Sequence, residues 1–291
     1  MSSAHLQQHT YTWQWQNYTL KVATETFGSG PSVLLLPALS TVSTRAELST
    51  LAQALAPYFQ VTLLDWPGFG DSDRPSLPYQ PDVYRQFLRA FVRDTLPQEV
   101  AVVAAGHAAG YALDLQSWSR MVLIAPTWRG PLAVMGAPVA LRRGIRQLVR
   151  SPVIGPALYG LNTRPGFLKW MYRRHVFVDE TQLTDEYISQ RYQNAQKPGA
   201  RYAPVAFVTG GLDPVDEREE FLAGLSRQAE PVMVIVAEQA PPGSKAEMKA
   251  MTELPNVQAA YLPGSLGMAE EFGDAIAPAI LPFLQGNTAP I

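Results

Sequence analysis

Short apolar runs alternate with amphipathic segments in the first half of the chain. Most of these runs are apolar at successive positions, which is typical of strands in a parallel sheet that is covered on both faces. Strands that alternate with helices imply right-handed crossovers, so the pattern predicts a doubly wound, mostly parallel α/β sheet. The predicted strands are Leu20–Glu25, Ser32–Pro37, Gln60–Asp65, Val100–Ala105 and Arg120–Ala125.

Two of the intervening segments have apolar residues at helical spacing. Thr44 and Glu47 have the spacing of a capping box at the start of the first predicted helix. The apolar face of that helix is formed by Leu48, Leu51, Ala52 and Leu55. The face of the second predicted helix is formed by Tyr84, Leu88, Phe91 and Val92.

The pattern changes after about Pro126. Residues 126–225 are mainly helical in pattern, with one short strand predicted at Val205–Thr209. Strand patterns return at Val232–Val236 and Val257–Leu262, and a last helix is predicted over Ala269–Leu284. The sequence therefore predicts a core formed by residues 1–125 and 226–291, with a helical cap inserted at 126–225.

Composition and charge exclude several classes of function. The hydrophobic share of 47% and the charged share of 16% fit a folded globular chain, and a net charge of −2 gives no reason to expect nucleic-acid binding. The chain has no cysteine, which excludes disulfides and thiolate chemistry. No cluster of His, Asp and Glu has metal-ligand spacing, so neither a metal nor a cofactor is expected. Without a secretory or membrane-spanning pattern, the expected location is the cytoplasm.

Two segments carry a resemblance to a known family. The first, VTLLDWPGFGDSDRP at 61–75, contains the arrangement DxPGxGxSxxP, and the second, VAVVAAGHAAGYAL at 100–113, joins a strand to a helix through Gly106 and Gly110. Both resemble segments of α/β-hydrolases, in which the second is the nucleophile elbow of form G-x-S-x-G. The resemblance implies an α/β-hydrolase sheet that carries an inserted cap.

A third segment narrows the resemblance. The stretch PALSTVSTRAE at 37–47 is similar to hydrolase-like proteins of cyanobacteria and plastids. This similarity implies a location peripheral to a membrane.

The resemblance also implies a Ser-Asp-His triad, which this chain lacks. Aligned with the family, Ala108 holds the nucleophile position, Ala240 the acid position, and Leu266 or Gly267 the histidine position. The four histidines of the chain are His5, His9, His107 and His175. Since none of them follows the cap, we expect no catalytic histidine of the usual kind and no catalytic residue at these positions.

The former active site is one candidate binding site. Backbone N–H groups of Leu39 and Ala109 could still point into it and hold a carbonyl or carboxylate group. We therefore expect a small apolar ligand between core and cap, near Leu39, His107, Ala109 and Trp128. The expected role of the His107 side chain itself is packing, and Asp213 and Asp216 are expected to lie in solvent.

The cap is the second candidate. No residue from 117 to 178 is acidic, whereas ten residues between Gln116 and Val178 are basic. The segment LRRGIRQLVR at 141–150 predicts a helix with Leu141, Ile145, Leu148 and Val149 on one face and arginines around the other. Such a helix suits an anionic membrane surface or an acidic protein partner, although an ordinary solvated face remains open. The predicted basic surface comprises Arg142, Arg143, Arg146, Arg150, Arg173 and Arg174.

Two functional hypotheses follow. The first is a non-catalytic protein that binds, through the former pocket or through the basic cap. The alternative is an esterase-like or lyase-like enzyme whose active site has moved. A polar pocket with a displaced acid–base pair would favour the enzyme, whereas a narrow or apolar pocket would favour binding.

Overall fold

The computed structural model describes residues 6–287, so the ends of the predicted core, 1–5 and 288–291, lie outside the described residues. Eight strands form one sheet, in the order β1-β2-β4-β3-β5-β6-β7-β8. Pairs β1–β2 and β2–β4 are antiparallel, and strands β3 to β8 are mutually parallel, which confirms the predicted sheet. The strands are β1 Gln7–Trp15, β2 Tyr18–Phe27, β3 Ser32–Leu36, β4 Gln60–Leu64, β5 Val100–Ala105, β6 Trp118–Ile124, β7 Val232–Ala237 and β8 Val257–Leu262.

The central strands could be predicted from the sequence because they are buried. Every residue of β3, β5 and β7 is buried, because helices cover both faces of the sheet. Strand β1 was not predicted. It is an edge strand whose first residues are exposed, and its sequence QQHTYTWQW has no apolar run.

Thirteen α-helices surround the sheet in the described part of the chain. Thr44 N–H donates to Glu47 Oε1 at 3.2 Å, so the predicted capping box is present, followed by a 3-10 turn that leads into α1. The helices are α1 Ser49–Leu55, α2 Pro81–Thr95, α3 Ala108–Leu113, α4 Pro131–Val134, α5 Val139–Arg150, α6 Gly155–Asn162, α7 Pro165–Met171, α8 Asp185–Gln196, α9 Tyr202–Val208, α10 Arg218–Ser226, α11 Pro242–Thr252, α12 Met268–Glu271 and α13 Gly273–Leu284. None of the helices in residues 6–287 is long and apolar enough to cross a bilayer.

Helices α4 to α10 lie between β6 and β7, where the sequence predicts the cap. The strand predicted at Val205–Thr209 is wrong, because this segment belongs to α9. A short buried apolar run fits a strand and a buried helix equally well, so its pattern alone could not decide. A second hydrophobic cluster lies within the insertion and includes Val149, Tyr159, Leu168 and Phe177.

Candidate functional site

The turn between β5 and α3 has its apex at Gly106. The φ angle of Gly106 is +51°, in the left-handed region that favours glycine, whereas His107 already has helical backbone angles. A Cβ atom built on Gly106 would lie 3.0 Å from the Cβ of Ala38 and 3.9 Å from Thr127 Oγ1. The residue that faces the loop after β3 is therefore Gly106, and it has no side chain.

This geometry differs from the sequence prediction, which put the nucleophile position at Ala108. Ala108 is the first residue of α3 and is fully buried. The spacing of Gly106 and Gly110 suggested the alignment, but β5 ends at Ala105, and the strand-to-helix turn directly follows the strand. Neither glycine nor alanine can attack a carbonyl, so the chemical conclusion is the same at both positions.

The positions predicted for the acid and the histidine carry no ionisable side chain. Ala240 is buried three residues after β7. The neighbouring Gln239 links the loop after β7 to the loop after β8, because its backbone N–H donates to the Gly264 carbonyl at 2.9 Å. Leu266 packs on the main core, and a Cβ on Gly267 would lie 2.5 Å from Val176 Cγ1. A cap segment thus lies directly against the loop where the family carries its histidine.

Hydrogen bonds hold this cap segment to the core. The N–H of Gly267 donates to the Val176 carbonyl at 2.9 Å, and the hydroxyl of Ser265 donates to the His175 carbonyl at 3.0 Å. The N–H of Val178 donates to Glu271 Oε1, also at 2.9 Å. The cap is therefore closed over the carboxyl end of the sheet.

A buried ion-pair network closes the cap at a second place. Arg191 of α8 pairs with Glu270 and lies 3.3 Å from Glu47 Oε1. The hydroxyl of Tyr187 donates to Glu270 Oε2 at 2.9 Å. Burial by itself lowers the pKa of Arg191, but the oxygens of Tyr172, Glu270 and Glu47 outweigh it and raise the pKa, so this side chain stays charged. The network joins α8 of the cap to the start of α1 and to α12.

His107 follows the apex and has an unexpected neighbour. Its Nε2 lies 2.9 Å from the carbonyl oxygen of Leu212 and 3.5 Å from Asp213 Oδ1. Its Nδ1 is buried without a hydrogen-bond partner among residues 6–287. Asp213 accepts a hydrogen bond from the Gly130 N–H at 2.7 Å, and its side chain is only 11% exposed. The prediction of a solvated Asp213 is therefore wrong, whereas Asp216 is exposed as expected.

Burial shifts both groups of this pair. Desolvation lowers the pKa of His107 to about 4, against a smaller opposing effect of the Leu212 carbonyl. Desolvation also raises the pKa of Asp213 to about 6, and the Gly130 N–H and nearby arginines only partly offset it. At neutral pH the imidazole is therefore uncharged, and its Nε2 is already engaged by a backbone carbonyl.

The pair predicts opposite pH effects in two variants. A lowered histidine pKa makes folding stability fall as pH drops from the unfolded-state value of about 6.5 through the folded-state value. A raised carboxyl pKa makes stability fall as pH rises through about 6. On acidification from about pH 7 to about pH 5, we therefore expect His107→Gln to lose less unfolding free energy than the wild type, and Asp213→Asn to lose more. Urea unfolding at the two pH values measures this. Equal losses in all three proteins would contradict the assigned burial.

The four residues predicted to line a ligand pocket are all buried, namely Leu39, His107, Ala109 and Trp128. The indole of Trp128 lies 3.4 Å from Glu247 Oε2 and under the guanidinium of Arg129. Two depressions of the described surface lie elsewhere. One of about 580 Å³ is bordered by Arg85 and Phe221, and another of about 240 Å³ by Tyr18. A ligand between core and cap remains a prediction.

Helix α5 differs in part from the sequence prediction. Of its predicted apolar face, Val149 is buried and Ile145 packs on the second hydrophobic cluster, as expected. Leu141 and Leu148 are exposed, whereas three of its arginines point inward. Arg146 Nε donates to Thr209 Oγ1 at 2.8 Å and Arg142 Nη1 to the Thr209 carbonyl at 3.2 Å. Arg150 reaches the carbonyl of Leu77. Thr209 follows the last turn of α9. At this end of a helix, guanidinium groups donate to the free carbonyls and interact favourably with the negative end of the helix dipole.

The sequence contained a signal for this orientation. Arg142, Arg146 and Arg150 are spaced i, i+4, i+8 and therefore share one stripe of the helix. Of the predicted basic surface, Arg143, Arg173 and Arg174 are exposed. Within residues 6–287, no group of three His, Asp or Glu side chains is arranged to hold a metal ion.

The predicted cap carries a group of exposed apolar and basic side chains, which we together call the outer cap face. Its apolar members are Val134, Met135, Val139, Leu141, Leu148, Val153, Ile154, Leu161, Phe167 and Trp170. Its basic members are Arg143, Arg164, Arg173 and Arg174.

A model described as the alpha/beta hydrolase family matches residues 33–276. No curated protein matches the chain. Among solved structures, the chain is similar to Cfl2 from Burkholderia cenocepacia, with a TM-score of 0.72, 19% identity and coverage of 94% of this chain and 95% of that chain. It is also similar to a thermophilic esterase from Thermogutta terrifontis, with a TM-score of 0.71, 17% identity and coverage of 97% and 100%.

A third similar structure is a loop variant of the haloalkane dehalogenase DbeA from Bradyrhizobium elkanii. Its TM-score is 0.70 at 15% identity, with 98% of each chain covered. Identities this low show a shared fold and do not transfer an activity.

Proposed function

The chain belongs to the alpha/beta hydrolase family, and from that premise we propose that it is a non-catalytic member that acts by binding through its outer cap face. The observation that carries this proposal is the apex of the elbow. Gly106 occupies the position that must present a nucleophile, and it has no side chain.

The surroundings of the apex support the same proposal. Triad chemistry needs an imidazole that is held by an acid and is free to take a proton from the nucleophile. No histidine of the chain follows residue 175, and Ala240 stands where the acid is expected. The cap segment at Val176 also lies against the loop that would carry the histidine. Nucleophile, base and acid are therefore all missing together.

The exposure of the side chains favours binding through the outer cap face over binding in the former active-site pocket. Leu39, His107, Ala109 and Trp128 are buried, so a ligand at these residues would first have to displace packed side chains or open the cap. The outer cap face needs no such rearrangement, because its side chains already lie in solvent.

One observation favours the alternative of a relocated active site. His107 and Asp213 lie 3.5 Å apart beside the elbow, and Asp213 has a raised pKa, as catalytic acids often do. Against this alternative, the Nε2 of His107 is occupied by the Leu212 carbonyl, and its imidazole is 1% exposed. A base that cannot reach a substrate proton contributes nothing to catalysis.

Hydrolysis of p-nitrophenyl acetate tests the proposal. We expect the wild type and Gly106→Ser to release nitrophenol at the rate of the protein-free control, since a new hydroxyl would have no base to activate it. Ala108→Ser is the matched elbow variant, and circular dichroism checks that each variant is folded. Turnover by the wild type that is lost in both His107→Ala and Asp213→Asn would contradict the proposal and support the relocated enzyme.

A further inference from the structure

Exposed apolar side chains are concentrated in one part of the cap. Ten of the fifteen large apolar side chains that are exposed in residues 6–287 lie between Val134 and Trp170. Single exposed apolar residues are common on soluble proteins, but a group of this size marks an interaction surface. Val153 is 84% exposed and Met135 71%, so most of the surface of both residues lies in solvent.

The exposed side chains follow one another along contacting elements. Helix α5 contacts α6, and α6 contacts α7. Leu141 and Leu148 lie on the outward side of α5, since they are seven residues apart and therefore share a stripe. Val153 and Ile154 project from the turn before α6, and Trp170 lies near the end of α7. The apolar surface thus continues across three helices.

Positive charge accompanies this apolar surface without any acidic residue. Residues 117–178 contain no Asp or Glu. Arg143, Arg164 and Arg174 are exposed and make no ion pair with residues 6–287. Apolar side chains beside unpaired arginines match the boundary of a bilayer, where acyl chains meet phosphate groups.

We infer that the outer cap face docks on a bilayer that contains anionic lipid. The apolar side chains enter the boundary between headgroups and acyl chains, and the arginines contact lipid phosphates. The indole of Trp170 suits the same depth, because tryptophan is enriched at membrane interfaces. This inference rests on the proposed function only in naming what the face binds, and it does not depend on the elbow.

Two other occupants of the face fit less well. A second copy of the chain, docked face to face about a two-fold axis, would bring arginines opposite arginines with no acidic residue of the face between them. An acidic protein would satisfy the arginines but would not by itself cover ten protruding apolar side chains. An anionic bilayer satisfies both parts of the surface.

Vesicle flotation tests the inference with the full chain. We expect binding to vesicles that mix phosphatidylcholine with phosphatidylglycerol and much weaker binding to phosphatidylcholine alone. Binding should weaken with salt, because exposed charges are screened. In the double variant Arg143→Glu/Arg174→Glu, we expect the partition coefficient to fall about fivefold or more for each arginine replaced. Arg89→Glu/Arg227→Glu is the matched control, since both residues are exposed outside the cap.

The apolar contribution has its own variant. In Leu141→Ser/Leu148→Ser/Val153→Ser, we expect a loss on the order of tenfold for each side chain that no longer enters the bilayer. Tyr58→Ser/Tyr261→Ser removes exposed apolar side chains outside the cap and should bind like the wild type. The replaced side chains lie in solvent, so circular dichroism should show that every variant folds like the wild type.

Four results would overturn the inference. The first is no binding to either vesicle, and the second is binding that neither cap variant reduces. The third is sedimentation as a dimer that the apolar variant dissociates. Binding to polyglutamate without vesicle binding would also overturn it and would identify an acidic partner. Because the nitrophenyl ester assay uses no vesicles, failure of the inference is distinguishable from failure of the proposed non-catalytic role.

Discussion

Replacing Arg191 with alanine is expected to lower the free energy of unfolding by about 3–5 kcal/mol. Arg191 is buried between α8 and the core, where it pairs with Glu270 and approaches Glu47. Without the guanidinium, two buried carboxylates would face each other unpaired, and each would have to be desolvated or protonated. Urea unfolding followed by tryptophan fluorescence measures the loss.

A surface pair provides the control for this prediction. Arg173 and Glu180 form an ion pair at 3.0 Å, but both side chains are about half exposed. Arg173→Ala is therefore expected to cost about 0–1 kcal/mol, because solvent screens exposed pairs. If Arg191→Ala costs no more than Arg173→Ala, the ion-pair network does not hold the cap closed. Since the two apolar clusters are separate, we also expect proteolysis of Arg191→Ala to begin within the cap.

The second large effect is expected in the loop after β4, where Asp65 is fully buried. Its carboxylate accepts hydrogen bonds from the N–H of Arg45 at 2.6 Å and of Asp71 at 2.7 Å, and it pairs with the Arg45 guanidinium. Asp65→Ala is expected to destabilise the protein by about 3–5 kcal/mol, since it leaves buried backbone donors without an acceptor. It also removes the most buried of the three carboxylates that pair with Arg45.

Asp73 of the same loop is the matched control. It is exposed, and its carboxylate accepts a single hydrogen bond, from the N–H of Lys21 at 2.7 Å. Asp73→Ala should therefore cost only about 0.5–1.5 kcal/mol in urea unfolding. A similar cost for Asp65→Ala would contradict the bracing role that we assign to the buried carboxylate.

The contacts of the buried Asp65 carboxylate explain the motif DxPGxGxSxxP. A Cβ on Gly70 would lie 2.0 Å from the carboxyl carbon of Asp65, so only glycine permits this approach. The hydroxyl of Ser72 donates to the Asp65 carbonyl at 2.7 Å. The residues that carry the family resemblance here therefore stabilise the loop. This is why the motif predicted the fold without predicting an activity.

The sheet was predictable because its central strands are buried on both faces and are therefore apolar throughout. The edge strand β1 was missed since only its last residues are buried, so its sequence has a mixed pattern. The strand predicted at Val205–Thr209 failed for the opposite reason, because helix α9 is buried and apolar. In both cases the hydrophobic pattern indicates which residues are buried, and it does not by itself distinguish a strand from a helix.

The site was less predictable because it depends on contacts between distant parts of the chain. The apex could be assigned to Gly106 only after the end of β5 was known. Asp213 was expected in solvent because its partner, His107, is more than one hundred residues earlier in the sequence. Arg142 and Arg146 of α5 bind Thr209, which directly follows another helix, α9. Sequence spacing describes one helix at a time and gives no information on its partner.

The central claim is that this protein binds and does not catalyse. Measuring turnover in the presence of the anionic vesicles that we propose it binds tests that claim most directly. Nitrophenyl esters and haloalkanes would be supplied to the wild type with and without vesicles of phosphatidylcholine and phosphatidylglycerol, since docking could open the cap. We expect product to form at the rate of the protein-free control in both cases. Product that forms in proportion to the protein, and that is lost in His107→Ala, would contradict the claim and identify a working active site beside Gly106.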